Sequence, residues 1–413
     1  MVRLAYLVSH PIQYQAPLLR LLAQEPQIYL KVFFGANTAE GFRDREFGAA
    51  LRWDVPLLEG YQHEFLPALA SRKITTVRPL NWGIGRRLKR GAFDVLWVHG
   101  YTRLESLSGI LAAKRLGLKV MVRDDANGGA PSQSVARAGA RRLFYAALGR
   151  MCEAFLAIGT LNRDYYLSRG IAGNRIFSVP YAVDNAFFKE RASIASRRRD
   201  EFRRELDLEP NRPVILFVGK LSERKGPQVL AEAYRLLSAD GRREPHPYLL
   251  FVGEGELRGH LESLASQSGW LSMKVLGFKN QTELPAFYDL CDVFVLPSFH
   301  EPWGLVVNEV MNAAKPVIVS DRVGCSLDLV RPGINGFVFR ASDAKGLKDA
   351  LSKMLNQDGF ARQMGQASRA IIEGWSFKQD LQGLKAALQS LGYDQHAALG
   401  PGATGGAAPD AAQ

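Results

Sequence analysis

Two carboxylates and two lysines carry the chemistry legible in this chain. Glu301 and Glu309 stand in His300-Glu301-Pro302-Trp303-Gly304-Leu305-Val306-Val307-Asn308-Glu309, an E-x7-E spacing. Lys220 and Lys225 stand in Gly219-Lys220-Leu221-Ser222-Glu223-Arg224-Lys225-Gly226-Pro227. Carboxylates accept hydrogen bonds from sugar hydroxyls, and cations neutralise phosphate, so together they suit a phosphorylated sugar. Alone, an acidic loop residue and a helical glutamate are ordinary solvated surface. Their setting adds weight. Residues 293–298 form a continuous apolar run with the composition of a buried strand. Residues 304–314 read as a helix closed by Lys315-Pro316, and residues 317–320 as a second buried strand. Glu301 then lies just outside the helix and Glu309 about one and a half turns inside it. The first turn offers the N–H groups of Leu305 and Val306 and the positive end of the helix dipole.

The lysines are positioned in the same way. Residues 213–218 read as a buried strand, and a helix is expected over 228–237 with Pro227 at its first position. Lys220 and Lys225 thus flank a strand end where α/β sheets bind ligands. Val275-Leu276-Gly277-Phe278 reads as a short strand whose glycine permits close backbone approach.

The G-K-x4-K-G turn, the Gly-Phe strand end and E-x7-E, in this order over roughly residues 200–390, resemble the donor-binding half of retaining family 4 glycosyltransferases. That family has the two-domain B type fold (GT-B), and the likeness is to a bacterial subgroup. The resemblance implies an α/β architecture of two Rossmann-like domains facing across a cleft. An acceptor-side domain is expected at 1–188 and a nucleotide-sugar-binding domain at 198–372. A C-terminal helix within 373–394 is expected to cross back to the first domain. The tail, 395–413, is Ala, Gly and Pro with little else, and disorder is expected there.

The resemblance also implies roles. The base would lie against the backbone near Phe278, beside Gly277, and the ribose hydroxyls on Glu309. The diphosphate would meet Gly219, Lys220, Lys225 and the Leu305 and Val306 amides after Gly304, and Glu301 would hold the sugar. The catalytic set would be Glu301, Lys220 and Lys225, with Asp124 and His99 as first-domain candidates. Relatives retain anomeric configuration, the leaving phosphate oxygen taking the proton of the acceptor, which accounts for the lack of an evident nucleophile. The nucleotide-diphosphosugar is a co-substrate, and no cofactor or metal is expected: the chain has no Asp-x-Asp pair to chelate a diphosphate-bound cation.

The chain departs from its relatives twice. Its first strand runs into the polar loop Ser9-His10-Pro11-Ile12-Gln13-Tyr14, where many relatives place a glycine-rich loop. His10, Gln13 and Tyr14 are therefore acceptor-side candidates. Where relatives often carry a histidine near the transferred sugar, this chain has Arg123-Asp124-Asp125. Both aspartates read equally well as turn residues near Gly128, and His99 equally well as a packed, hydrogen-bonded histidine. The subgroup pattern Phe47-Gly48, Trp53-Asp54, Pro56-Leu57-Leu58 and Gly60-Tyr61 reads as acceptor-facing.

Composition bounds the rest. A chain of 413 residues is expected to form two domains, and a 47% hydrophobic content is ordinary for a globular protein. No apolar run reaches membrane-spanning length. Its first eight residues read as a strand without a basic n-region, so no signal peptide is expected. Cys152, Cys291 and Cys325 are isolated among apolar neighbours, which points to reduced thiols and a cytoplasmic setting. The net charge is +12, and residues 1–190 hold 26 Lys and Arg against 15 Asp and Glu, an excess of 11. Arg86, Arg87, Lys89 and Arg90 sit beside Leu80, Trp82, Ile84 and Leu88; Arg137, Arg141, Arg142 and Arg150 surround Leu143, Phe144 and Tyr145. These clusters read either as exposed sides of packed helices or as a face for the anionic inner surface of a membrane. Nucleic acid is disfavoured, because no recognition module accompanies the basic residues.

The expected activity is transfer of a sugar, of hexosyl type, from a nucleotide-diphosphosugar to a glycan or lipid-linked acceptor in bacterial polysaccharide or glycoconjugate synthesis. Two rivals stand beside it. One is a sugar-nucleotide epimerase or hydrolase on the same fold, the other a non-catalytic basic protein bound to a membrane surface.

Overall fold

The computed structural model describes residues 1–39, 41–43, 50–69, 79–128, 135–240, 245–267, 272–356 and 359–393. Phe47, Gly48 and the tail expected at 395–413 lie outside the described residues.

The first domain is built on β1 (Val2–Val8), β2 (Ile28–Phe34), β3 (Gln62–Phe65), β4 (Val95–His99), β5 (Lys119–Arg123), β6 (Ala154–Ala157) and β7 (Ile176–Ser178). They form one parallel sheet in the order β3-β2-β1-β4-β5-β6-β7. The second domain repeats the plan with β8 (Val214–Val218), β9 (Tyr248–Val252), β10 (Met273–Val275), β11 (Val293–Leu296), β12 (Val317–Ser320) and β13 (Gly336–Phe339). Its parallel sheet runs β10-β9-β8-β11-β12-β13. Helices cover both faces of each sheet, so β8, β9, β11 and β12 are buried along their whole length and read as unbroken apolar runs. In both sheets the winding reverses between the first strand and the fourth. The crevice at the carboxyl ends of those strands is where such folds take ligands.

The domain boundary falls earlier than residue 188. Asp184 caps the helix Asn185–Ser196, its carboxylate accepting from the Phe187 N–H at 3.0 Å. Phe188 of that helix is buried in the core of the second domain, so the helix belongs there by packing. The last helix, Phe377–Ser390, starts in a capping box of Ser376 and Gln379. It packs Leu384, Ala387 and Leu388 into the core of the first domain with Tyr6, Trp97 and Val179. Gly383 makes this docking possible: a Cβ there would lie 1.7 Å from the Ser178 carbonyl oxygen.

Candidate active site

A cavity of about 330 Å³ opens between the domains at these strand ends. Its second-domain wall begins with Gly219 after β8 and the short turn Glu223–Lys225. Gly226 closes that turn at φ +65°, and a Cβ there would lie 2.5 Å from the Pro297 carbonyl oxygen. The turn therefore seats directly on the exit of β11. This contact brings Lys225 to Glu301, and the two form an ion pair with side chains only 15% and 11% exposed. The Glu301 loop is pinned on both sides: its N–H donates to the Arg322 carbonyl at 3.1 Å, and its carbonyl accepts from the Gly324 N–H at 2.9 Å.

Gly304 then turns the chain at φ +99° into the helix Leu305–Asn312. Leu305, Val306 and Glu309 all line the cavity, Glu309 lying about one turn beyond the other two. The Tyr288 hydroxyl donates to Glu309. Burial pushes the Glu309 carboxyl up to about 7, a rise the tyrosine hydrogen bond opposes. Phe278, Lys279, Gln281 and Leu284 extend this wall. Lys220 is half-buried beside Gly219 and is not among the lining residues, and neither is Gly277. Gly277 leaves the β10 ladder at φ +71°, so the expected strand stops at Val275, short of Gly277 and Phe278.

The first domain contributes Gln13, Tyr14, Trp53, Asp125 and Tyr181. The Tyr14 and Tyr181 rings meet edge to face at 5.4 Å, and burial raises the Tyr14 phenol to about 12. His10 is not in the lining; its Nδ1 lies 2.8 Å from the Ser9 hydroxyl. Burial, with the charge of Arg103, lowers it to about 4, so it is neutral. His99 is also outside the lining, stacked on Tyr181 with ring centroids 6.1 Å apart. Its Nε2 lies 2.8 Å from the amide nitrogen of Gln15 and 3.1 Å from the Tyr181 hydroxyl, so Nε2 is the acceptor. Burial and the Arg123 charge hold it well below the ordinary imidazole range.

Arg123, Asp124 and Asp125 point three ways. Arg123 is fully buried, donating to the carbonyls of Val179 and Pro180 at 2.8 Å and pairing with Asp380 at 3.2 Å. Asp124 turns back on its own loop, accepting from the Ala126 N–H at 2.7 Å. Asp125 opens on the cavity. Displacement of water by both domains pushes its carboxyl up, and the charge of Glu301 adds to the rise. The cleft therefore holds carboxylates from both domains, Asp125 from the first and Glu301 and Glu309 from the second. Of the two adjacent aspartates, Asp125 is the one that reaches it.

The acidic corner is also the domain junction. The Asn127 amide donates to the carbonyls of Glu301 and Pro302 at 3.3 Å. Trp303 stacks on Trp375 at 5.4 Å and donates to Asn308 at 3.0 Å, and Asn308 donates to the Tyr181 carbonyl at 3.2 Å. Trp53, in the pattern read as acceptor-facing, reaches across the cleft to the second-domain wall, against Phe278. Among the described residues no three His, Cys, Asp or Glu side chains gather as a metal site.

Two parallel-sheet α/β domains with a cleft at the carboxyl ends of their strands define the GT-B architecture. Solved structures share it: Anabaena HepE in complex with UDP and glucose superposes with a TM-score of 0.69 at 17% identity, over 94% of this chain and all of that one. Sucrose-phosphate synthase from Thermosynechococcus elongatus gives 0.68 at 18% identity, over 95% of this chain and all of that one. Within that class, residues 198–371 match the family described as glycosyl transferases group 1. An uncharacterized glycosyltransferase of Methanocaldococcus jannaschii is 30% identical over 198 residues, 46% of this chain and 49% of that protein. The D-inositol 3-phosphate glycosyltransferase of Pseudarthrobacter chlorophenolicus is 27% identical over 328 residues, 76% of this chain and 74% of its own. The chain spans about half the length of several of the curated relatives that it matches.

Proposed function

We propose that the protein is a glycosyltransferase that moves a sugar, of hexosyl type, from a nucleotide-diphosphosugar to a glycan or lipid-linked acceptor with retention of configuration. One observation carries this reading. The Lys225–Glu301 pair, the first turn at Leu305 and Val306, and Glu309 share one cavity wall, within the residues that match the glycosyltransferase family. Such a wall offers each part of the donor its own partner. Glu309 accepts from the ribose hydroxyls and Glu301 from the sugar hydroxyls. Lys225 and the helix N-terminus face the diphosphate.

Charge on the leaving diphosphate grows as the bond from the anomeric carbon to the phosphate oxygen breaks. Lys225, with Lys220 on the same turn after β8, neutralises that charge in place of a metal ion. The acceptor oxygen bonds to the same face of the anomeric carbon, and its proton passes to the departing phosphate oxygen. We place the activity in polysaccharide or glycoconjugate synthesis at the cytoplasmic face of a membrane. Arg86, Lys89 and Arg90 are exposed there beside Leu80 and Trp82, which are 46% and 53% exposed.

The test is donor turnover across a panel of nucleotide sugars, with and without lipid and glycan extracts. Acceptor-dependent turnover is the expected result. Equal turnover without acceptor would identify an epimerase or hydrolase, and no donor binding at all would leave a membrane-surface protein.

A further inference from the structure

The cavity wall at Phe278 is not built by the second domain alone. Trp53 rides on a first-domain loop between the two-residue strand Ala50–Leu51 and β3. Its half-buried ring lines the cavity, 6.4 Å from the Phe278 ring with the planes at 63°. Hydrogen bonds across the cleft hold the loop in place. The Asn280 amide donates to the Arg52 carbonyl at 2.8 Å, and the Asp54 N–H donates to Asn280 at 3.4 Å. The Asp54 carboxylate accepts from the Thr282 N–H at 3.1 Å and from the Thr282 hydroxyl. Beside the two rings, Leu284 adds apolar surface and Gln281 an amide. The Gln281 Oε1 is buried, and among the described residues no donor reaches it.

An aromatic pair beside an unpartnered acceptor fits a flat heterocycle with an N–H on its edge. A sugar would want hydroxyl-binding carboxylates such as Glu301 and Glu309, which the cavity supplies from the acidic loop and its helix and not from Trp53 or Phe278. We infer that Trp53 is a nucleobase-stacking residue lent by the first domain, with Gln281 accepting from an N–H of the base. This rests on the reading of the cavity as a nucleotide-sugar site and gives its base a specific place. Asp54 is then a positioning residue, holding Trp53 over the base through Thr282. Donor affinity on this account depends on both domains.

Stacking of a base on an aromatic side chain predicts that Trp53→Ala weakens nucleoside diphosphate binding roughly 5- to 150-fold. Calorimetry on the full chain would compare uridine and adenosine diphosphates with inorganic pyrophosphate, which has phosphates but no base. Trp53→Phe is expected to keep most of the affinity. Trp53→Leu, which keeps apolar bulk without a π face, is expected to lose it as Ala does, and Asp54→Ala to fall between. Pyrophosphate should bind all variants equally. Unchanged nucleoside diphosphate affinity in Trp53→Leu overturns the assignment. An equal loss for pyrophosphate overturns it too, because Trp53 would then act through the shape of the cleft. If the wild-type protein binds pyrophosphate and no nucleoside diphosphate, the nucleotide-sugar reading falls with it. If wild type binds both and Trp53→Leu changes neither, only the Trp53 assignment falls.

Discussion

Glu309 is half-buried, and its charge is what the cavity controls most directly. Its carboxyl is raised from 4.5 to about 7, first by burial. The folded chain thus keeps a proton that the unfolded chain has lost, and this stability term declines as pH rises from about 4.5 through about 7. Ribose hydroxyls donate to a carboxylate, so nucleotide binding favours the ionised form and should tighten as pH rises from about 6 to 8 and then level off. The phosphates of the ligand titrate near 6 as well. The comparison with Glu309→Gln therefore matters: it should lose about 1.5–3 kcal/mol of nucleoside diphosphate affinity above pH 8 and flatten the rise around 7. Calorimetry at four pH values checks this, and equal slopes in both proteins would remove Glu309 from the ribose. Asp124 and Asp125 make a sharper pair. Asp125→Asn, which changes a carboxylate that lines the cavity and can position the reacting groups, is expected to lower turnover roughly tenfold, whereas Asp124→Asn, which retains an oxygen for the Ala126 N–H, should change kcat by less than about threefold. A larger loss in the Asp124 variant would make it, and not Asp125, the working carboxylate.

Legibility differed from element to element for physical reasons. β8, β11 and β12 were readable because strands covered on both faces must be apolar throughout, and the lysine turn and acidic loop at their ends were placed along with them. The helix Leu305–Asn312 came out three residues shorter than the expected 304–314, one at its start, where Gly304 takes φ +99°, and two at its end, where Ala314 adopts φ +55° before Pro316. Nothing local in Trp53-Asp54 tells which domain it touches, since its partners Asn280 and Thr282 lie more than 200 residues away. Nor does periodicity decide which of two adjacent aspartates turns inward. The lysine turn supplies the prediction at this scale. Lys225→Ala should lower kcat more than it raises KM, because the cation meets charge that grows as the diphosphate leaves. Gly226→Ala meets both a left-handed φ and the Pro297 carbonyl, so it must shift the turn that carries Lys225. It should lower kcat in the same direction and cost about 1–3 kcal/mol of stability. Steady-state kinetics and thermal unfolding check the pair, and a Lys225→Ala effect confined to KM would leave that lysine a ground-state binder only.

Across the whole molecule the charge is uneven, with an excess of 11 cations in residues 1–190 out of a net +12. The fold sorts the two basic clusters. In the helix Ile84–Arg90, Ile84 and Leu88 are buried and Arg87 is tied to Glu64, which leaves Arg86, Lys89 and Arg90 outward. Trp82 and Leu80 are exposed just ahead of this helix, so cations and an interfacial aromatic share one edge of the first domain. In the helix Val135–Met151, Tyr145 and Leu148 are buried and Leu143 is 74% exposed, a second and less aromatic patch. Each cation near an anionic surface contributes about 1 kcal/mol, and the attraction decays over a Debye length of about 10 Å at 0.1 M salt. Three outward cations and one tryptophan thus predict weak, salt-sensitive association, without insertion of a helix. The protein should sediment with vesicles containing phosphatidylserine at about 50 mM salt, much less at 0.5 M, and hardly at all with neutral vesicles. Arg86, Lys89 and Arg90 changed together to Gln should abolish most of the binding, and Trp82→Ala should weaken what persists at higher salt. Arg87→Gln should have little effect on vesicles, because its charge is already spent on Glu64. No sedimentation with anionic vesicles at low salt would make this edge ordinary surface and turn the search for an acceptor toward soluble glycans.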